Sequence, residues 1–409
     1  MKIERPRGTH DILPSEQPLW RKVTAEMERV CALYGYRRIQ TPVFEDAQLF
    51  SRTSGVGSDI VQKEMYYLAD RTGENRFALR PEATAPICRA YIEHGMKQEP
   101  QPAKLYTLGS FYRYDRPQRG RYREHHQLSV ECIGSAVAAV DAEVIQLYDM
   151  LLTSLGVSNY ELHLNSSGDR TCRPEYERKL RDWLGEHDNL LTSEVEQKRA
   201  TNVLRVFDVK DPTMRALLEG APKITDHLCG ECARHFEEVR ALLDSNGVRY
   251  VLDPTVVRGL DYYSRTTWEF VGPDDSSQGS TISGGGRYDY LIEQIGGPPT
   301  PGVGFGAGIE RLIMSLELEG ITAEEDPLDV YVAVAPDTPP VQPLLARLRA
   351  EGFAADADYA GRSMKGQISQ GQKRARAILI VSADGMMLRR QGELDVEVDE
   401  ATLMELLRA

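Results

Sequence analysis

The chemistry-bearing residues concentrate in residues 104–134, KLYTLGSFYRYDRPQRGRYREHHQLSVECIG, where Arg113, Arg116, Arg119, Arg121 and Arg123 surround a connection containing Pro and Gly. Guanidinium groups fork onto phosphate oxygens and keep their charge at any working pH. Beyond the connection the residues alternate, so that Gln127, Ser129 and Glu131 share one strand face and Leu128, Val130 and Cys132 the other. An amide and a carboxylate beside fixed cations suit a small substrate with a polyphosphate and a polar organic part. A charged, solvated hairpin tip is the competing reading of this stretch taken alone.

Other segments add groups of the same kind. Glu82 and Thr84 in Arg80-Pro-Glu-Ala-Thr84 stand at a helix entrance, where the carboxylate either complements the helix dipole or holds a substrate ammonium. In RGLDYY, Arg258, Tyr262 and Tyr263 need polar partners if buried. The run Gly302-Val-Gly-Phe-Gly-Ala-Gly308 leads straight into a helix, and its bare face admits either a flat ring or close packing. Arg311, in the first turn of that helix, opposes the dipole unless an anion or a ring compensates. Ala307 breaks the dinucleotide fingerprint, and no GxxxxGK[ST] phosphate loop occurs.

These groups need a scaffold. Two alternating segments flanking the arginine-rich connection predict an antiparallel hairpin. A helix is expected over residues 15–34, then a strand over 36–43 whose Pro42 confines it to a sheet edge. Residues 173–246 show almost only helical patterning between strand-like segments and read as an insertion. Past a polar linker at 324–327, strands and helices alternate in a small α/β domain. Its segment 361–376 carries Arg362, Lys365, Lys373, Arg374 and Arg376 without an acidic residue, a footprint for a nucleic-acid strand.

With 409 residues, 41% hydrophobic and 27% charged, the chain is expected to form two or three globular domains. A net charge of −13 argues against nonspecific coating of nucleic acid but leaves room for a local basic patch. No membrane-spanning run and no secretion signal are read, so a cytoplasmic protein is expected. The six scattered cysteines are expected as thiols. Cys229-Gly-Glu-Cys232 has the spacing of half a zinc site, but with no evident second half no bound metal is expected.

In the order RGTHDILP, TPVFED, RPEAT, FYRYDRPQRGRYREHHQLSVE, RGLDYY, SGGGRYD and GFGAGIERL, the whole chain resembles class II aminoacyl-tRNA synthetases and, through RGLDYY with SGGGRYD, the histidyl-tRNA synthetase family. The resemblance implies an α+β catalytic domain on an antiparallel sheet (residues 1–172 and 247–325), a helical insertion (173–246) and a C-terminal α/β anticodon-binding domain (327–409). It implies a homodimer joined through the first helix and the Pro42 strand, acting on L-histidine, ATP with Mg2+, and histidine tRNA. Arg113 and Arg258 are then the catalytic cations. Histidine is bound by Glu82, Ala83, Thr84, Arg113, Gln127, Glu131, Arg258, Tyr262 and Tyr263, and ATP by Phe111, Arg113, Arg121 and Arg311. Glu124-His125 stands where the family commonly carries Gln-Phe, and the C-terminal domain is short. A synthetase-like regulatory subunit of histidine biosynthesis is the alternative, although such subunits normally lack the anticodon domain and catalytic residues.

Overall fold

The computed structural model describes residues 2–54, 60–69, 71–73, 76–209, 211–272 and 281–408. The chain forms two units, Met1–Ala323 and Glu324–Ala409, each around its own hydrophobic core. The first is built on an eight-stranded sheet in the order Arg37–Arg38, Ala103–Tyr112, Glu124–Ile133, Gly302–Gly308, Thr281–Arg287, Ser264–Val271, Glu161–Ser166 and Val251–Leu252. Only the two outermost pairings are parallel.

Alternation along these strands separates a core face from a functional face. Leu128, Val130 and Cys132 of one strand and Val303, Phe305 and Ala307 of its neighbour are buried against the helices Gln17–Leu33 and Ala138–Leu155. The opposite face carries Gln127, Ser129 and Glu131, whose register partners are Gly308, Gly306 and Gly304. Beneath the sheet the fully buried Arg287 donates to Asp141 and Asp289, which compensates its charge and anchors the end of the glycine-rich strand.

The strand predicted over 36–43 is shorter than the pattern implied. The stretch around Pro42 pairs only at Arg37–Arg38 on the sheet edge, and the chain then enters a separate three-stranded sheet through Phe44–Asp46. Proline cannot donate to the ladder, which accounts for the break. After RGLDYY the chain enters a strand only at Ser264, and Arg258, Tyr262 and Tyr263 before it line a cavity.

Within 173–246, the helices Arg173–Glu186, Ser193–Thr201 and Pro212–Glu219 close over their own cluster, which includes Tyr176, Leu180, Leu184 and Leu218. Asp211 caps the last of these, accepting from the backbone N–H groups of Thr213 and Met214 at 2.8 and 3.1 Å, with Pro212 at the first helical position. The helix Gly230–Ser245 instead gives Phe236, Val239 and Leu243 to the main core. The second half that Cys229 and Cys232 lacked in sequence is present in space, since Asp169 and Cys172 lie beside them.

In the second unit, Leu328–Val334 lies between the parallel strands Ala355–Ala357 and Ala375–Ser382, and Gly385–Arg390 and Val396–Val398 extend the sheet antiparallel. Ser363 caps the basic helix Met364–Arg374, its hydroxyl accepting from the N–H of Gly366. Among the described residues no helix is long and apolar enough to cross a membrane.

Candidate active site

On the polar face of the large sheet, a cavity of about 300 Å³ takes walls from RPEAT, the arginine-rich hairpin, RGLDYY, SGGGRYD and GFGAGIERL. Arg113, Arg121, Arg258 and Arg311 all line it, although they lie far apart in the chain. Each cation is held in place. Arg113 Nε donates to the carbonyl of Pro81 at 2.8 Å, and Arg121 pairs with Asp115 at 2.5 Å. Arg311 donates from Nε to Gly120 O at 3.1 Å and from Nη1 to Thr281 O at 2.5 Å, tying the hairpin tip to the helix Ile309–Leu318. Arg258 pairs with Glu269, whose other oxygen accepts from Thr281 Oγ1 at 2.9 Å. Burial, reinforced by Arg121 and Arg113, depresses the Arg311 pKa, so an arriving anion relieves repulsion there.

One end of the cavity is shaped by carboxylates. Glu82 accepts from the N–H groups of Thr84 and Ala85 at 2.6 and 3.0 Å, so it caps the helix Thr84–Glu93 and also faces the cavity. Its two readings from sequence are therefore compatible. Burial raises its pKa against those hydrogen bonds. Glu131 lies one layer deeper, accepting from Thr84 Oγ1 at 2.7 Å and from the Tyr288 hydroxyl at 2.5 Å. Tyr288 was missed by sequence reasoning, although SGGGRYD contains it. Gln127, Thr84, Tyr262 and Tyr263 reach the cavity wall, whereas Glu131 acts through Thr84 and Tyr288.

Burial pushes the Glu131 carboxyl up to about 8. Its unfolded value is about 4.3, so the folded protein holds a proton that the unfolded chain releases. The stabilisation from that proton is complete below the unfolded value and is lost as pH rises through the folded one. Glu131→Gln should therefore flatten the decline of melting temperature between about pH 5 and about pH 8. Parallel declines in variant and wild type would contradict the raised carboxyl.

The glycines give clearance to the protein's own side chains. A Cβ on Gly284 would overlap the Arg258 guanidinium, one on Gly286 the Tyr263 ring, one on Gly304 the Glu131 carboxylate and one on Gly306 the Gln127 amide. In the run expected to admit a flat ring or close helix-to-sheet packing, Gly304 and Gly306 instead make room for Glu131 and Gln127 of the neighbouring strand.

Some expected ligands do not reach the cavity. Phe111 is fully buried, with the Arg80 guanidinium 4.7 Å above its ring, and the expectation that it faces a nucleotide is not met. Its register partner His125 takes that wall, 6.1 Å away between ring centroids. Burial, with Arg113 the cation that contributes most, lowers the His125 pKa to about 3, leaving a neutral ring at pH 7. Ala83 packs in the core under the site. At the tip, Arg119 approaches Glu317 at 3.6 Å, and Arg123 lies over the Tyr114 ring at 3.8 Å; neither lines the cavity, nor does Arg116. In the second unit, Arg362 pairs with Asp358 at 2.6 Å, Arg374 with Asp356 at 2.8 Å, and Arg376 lies 3.7 Å from Asp329. The acid-free segment is thus partly neutralised by neighbouring elements, while Lys365 and Lys373 are exposed.

The family model described as histidyl-tRNA synthetase matches residues 8–312. The chain belongs to the histidyl-tRNA synthetase family. A histidine–tRNA ligase of Dehalococcoides mccartyi is 46% identical over 370 residues, covering 90% of this chain and 88% of the relative. One from Desulforamulus reducens is 42% identical over 416 residues, covering 100% of this chain and 98% of its own. The apo histidyl-tRNA synthetase of S. aureus has the same fold, with a TM-score of 0.82 at 33% identity and full coverage of both chains. A Bacillus halodurans protein titled ATP phosphoribosyltransferase regulatory subunit/histidyl-tRNA synthetase gives 0.66 at 25% identity over 94% of this chain and all of that one.

Proposed function

We propose that this cavity is where the chain, a histidine–tRNA ligase by family, joins L-histidine to ATP. The observation that carries the reading is that Arg113, Arg258 and Arg311 open onto one cavity. Histidine's carboxylate is already a nucleophile, so activation needs two anions brought together rather than a general base. A carboxylate oxygen attacks the α-phosphorus, the bond to pyrophosphate breaks, and histidyl-adenylate forms; a hydroxyl at the 3′ end of the tRNA then takes the histidyl group and AMP leaves. Arg113 and Arg258 hold the carboxylate and α-phosphate, while Arg121 and Arg311 hold the outer phosphates. Neutral His125 offers its face to the base. Glu82 and Thr84 take the ammonium, and Gln127 and Tyr263 contact the rest of the amino acid, with Glu131 positioned behind them.

Glu310 also lines the cavity, and its carboxylate oxygens suit Mg2+ alongside phosphate oxygens. When bound, the ion would neutralise charge on the leaving pyrophosphate. We assign residues 1–172 and 247–325 to the catalytic core, 173–246 to the insertion and 327–409 to anticodon contact, in a cytoplasmic homodimer joined through the first helix and the Pro42 segment. Val43 and Phe44, exposed in the single chain, would be covered in that dimer. A regulatory subunit is disfavoured because the second unit and all three arginines are present.

Histidine-dependent exchange of pyrophosphate into ATP, run across the amino acids, tests the proposal; exchange with no preference for histidine would reject it. Removing charge at Lys373, Arg374 and Arg376 should weaken tRNA charging while sparing exchange. The slope of log affinity against log salt should fall by about 1 for each tRNA phosphate that the variant no longer neutralises. An equal fall in exchange would remove the C-terminal unit from the tRNA role.

A further inference from the structure

Asp169, Cys172, Cys229 and Cys232 each present one ligand atom, and the four atoms lie within 4.8 Å of one another. Asp169 and Cys172 belong to the turn after the strand Glu161–Ser166, and Cys229 and Cys232 open the helix Gly230–Ser245. Around a tetrahedral zinc with Zn–S about 2.3 Å and Zn–O about 2.0–2.2 Å, ligand atoms stand roughly 3.3–3.8 Å apart. Cys172 Sγ lies 3.7 Å and Cys229 Sγ 3.9 Å from Asp169 Oδ1, so little movement is required. All three cysteines are free thiols, and only Cys229 is more than marginally exposed.

We propose that these four side chains bind one structural zinc ion. Three sulfur donors disfavour magnesium and calcium, and the spacing is too tight for an iron–sulfur cluster, whose ligands sit on separate metal atoms. With four protein ligands no position is left open for a substrate, which marks a structural rather than a catalytic metal. Binding releases the three thiol protons. Two positive charges then face three thiolates and a carboxylate, and Arg265, 3.6 Å from Asp169 Oδ2, offsets part of the excess. Arg265 takes that position with φ +49, a left-handed conformation uncommon for a side-chain-bearing residue. The N–H of Thr171 donates to Asp169 Oδ1 at 2.9 Å, orienting the carboxylate as outer-shell groups do in metal sites.

The two ligand pairs flank residues 173–228, which include the separate helical cluster, so the ion would fasten both ends of that stretch together beside the sheet. The clamp also reaches the cavity. Arg173, next to Cys172, donates to the carbonyls of Ser167 at 3.0 Å, Gly168 at 3.2 Å and Tyr263 at 2.6 Å. Loss of the metal should loosen the backbone on which Tyr263 stands.

Full-length protein purified under reducing conditions from zinc-supplemented medium should contain roughly one zinc per chain by elemental analysis. Cys232→Ser and Asp169→Ala should lower that content, and Asp169→Cys should retain it. Cobalt(II) loaded into the wild type should show tetrahedral ligand-field absorption with a thiolate charge-transfer band, and chelation should lower the wild-type melting temperature. The last two readouts need no variant and decide the question if the substituted chains fail to fold. Substoichiometric zinc together with no thiolate band on cobalt loading, a Cys229–Cys232 disulfide in the reduced preparation, or mononuclear iron in place of zinc would each overturn the proposal.

Discussion

Arg258→Ala should slow formation of histidyl-adenylate by about 10²–10³-fold while leaving the dissociation constant for histidine nearly unchanged. Charge builds on the phosphorus only in the transition state, and a fixed cation stabilises that state more than the bound reactants. Arg258 is paired with Glu269, so a ground-state anion gains little by displacing that carboxylate. Single-turnover rates and equilibrium histidine binding, measured on the same preparation, separate the two effects. Removing the guanidinium also unmasks Glu269, which would repel the triphosphate. The double variant Arg258→Ala/Glu269→Gln controls for this. Full recovery of rate in the double variant, or equal losses of rate and affinity in the single one, would show that Arg258 does not stabilise the transition state.

Gly284→Ala should cost about 10²-fold in the same rate through displacement alone. No left-handed backbone angle is recorded at Gly284, so the chain itself tolerates alanine; the new methyl would stand inside the Arg258 guanidinium. If the loss comes from moving Arg258, the substitution should do little more once Arg258 is already alanine. Multiplying effects in the double variant would point to a general disturbance of the strand. Gly259 provides the control, since a Cβ there meets nothing within 4 Å and Gly259→Ala should be nearly silent. Melting temperatures for the set identify any variant whose loss is one of folding.

The parts of the site legible in sequence were those encoded by local periodicity. Alternation put Gln127 and Glu131 on the polar face, and the helix start after Gly308 put Arg311 at the cavity. What was hidden depends on partners distant in the chain. Glu269 looks like an ordinary strand residue until Arg258 is brought against it, and Tyr288 is one of many tyrosines until its hydroxyl meets Glu131. Phe111 and His125 occupy facing register positions, so alternation cannot say which reaches the cavity; Arg80, arriving from another segment, covers Phe111. The basic stretch of the second unit is less free than its own composition implies for a related reason, because the aspartates paired with Arg362, Arg374 and Arg376 lie outside it.

Before any substrate arrives, the cavity's guanidinium groups already have internal partners: Asp115 for Arg121, Glu269 for Arg258, backbone carbonyls for Arg113 and Arg311. Stray phosphate or chloride entering the pocket would ease the repulsion among Arg113, Arg121 and Arg311 but would have to win a contest for donors already engaged. A molecule that replaces several of those bonds at once, as a triphosphate beside an amino acid can, meets far less resistance per bond exchanged. Mutual occupancy of acid and base in the pocket thus acts as a filter, favouring a polyphosphate substrate over the simple anions of a cell.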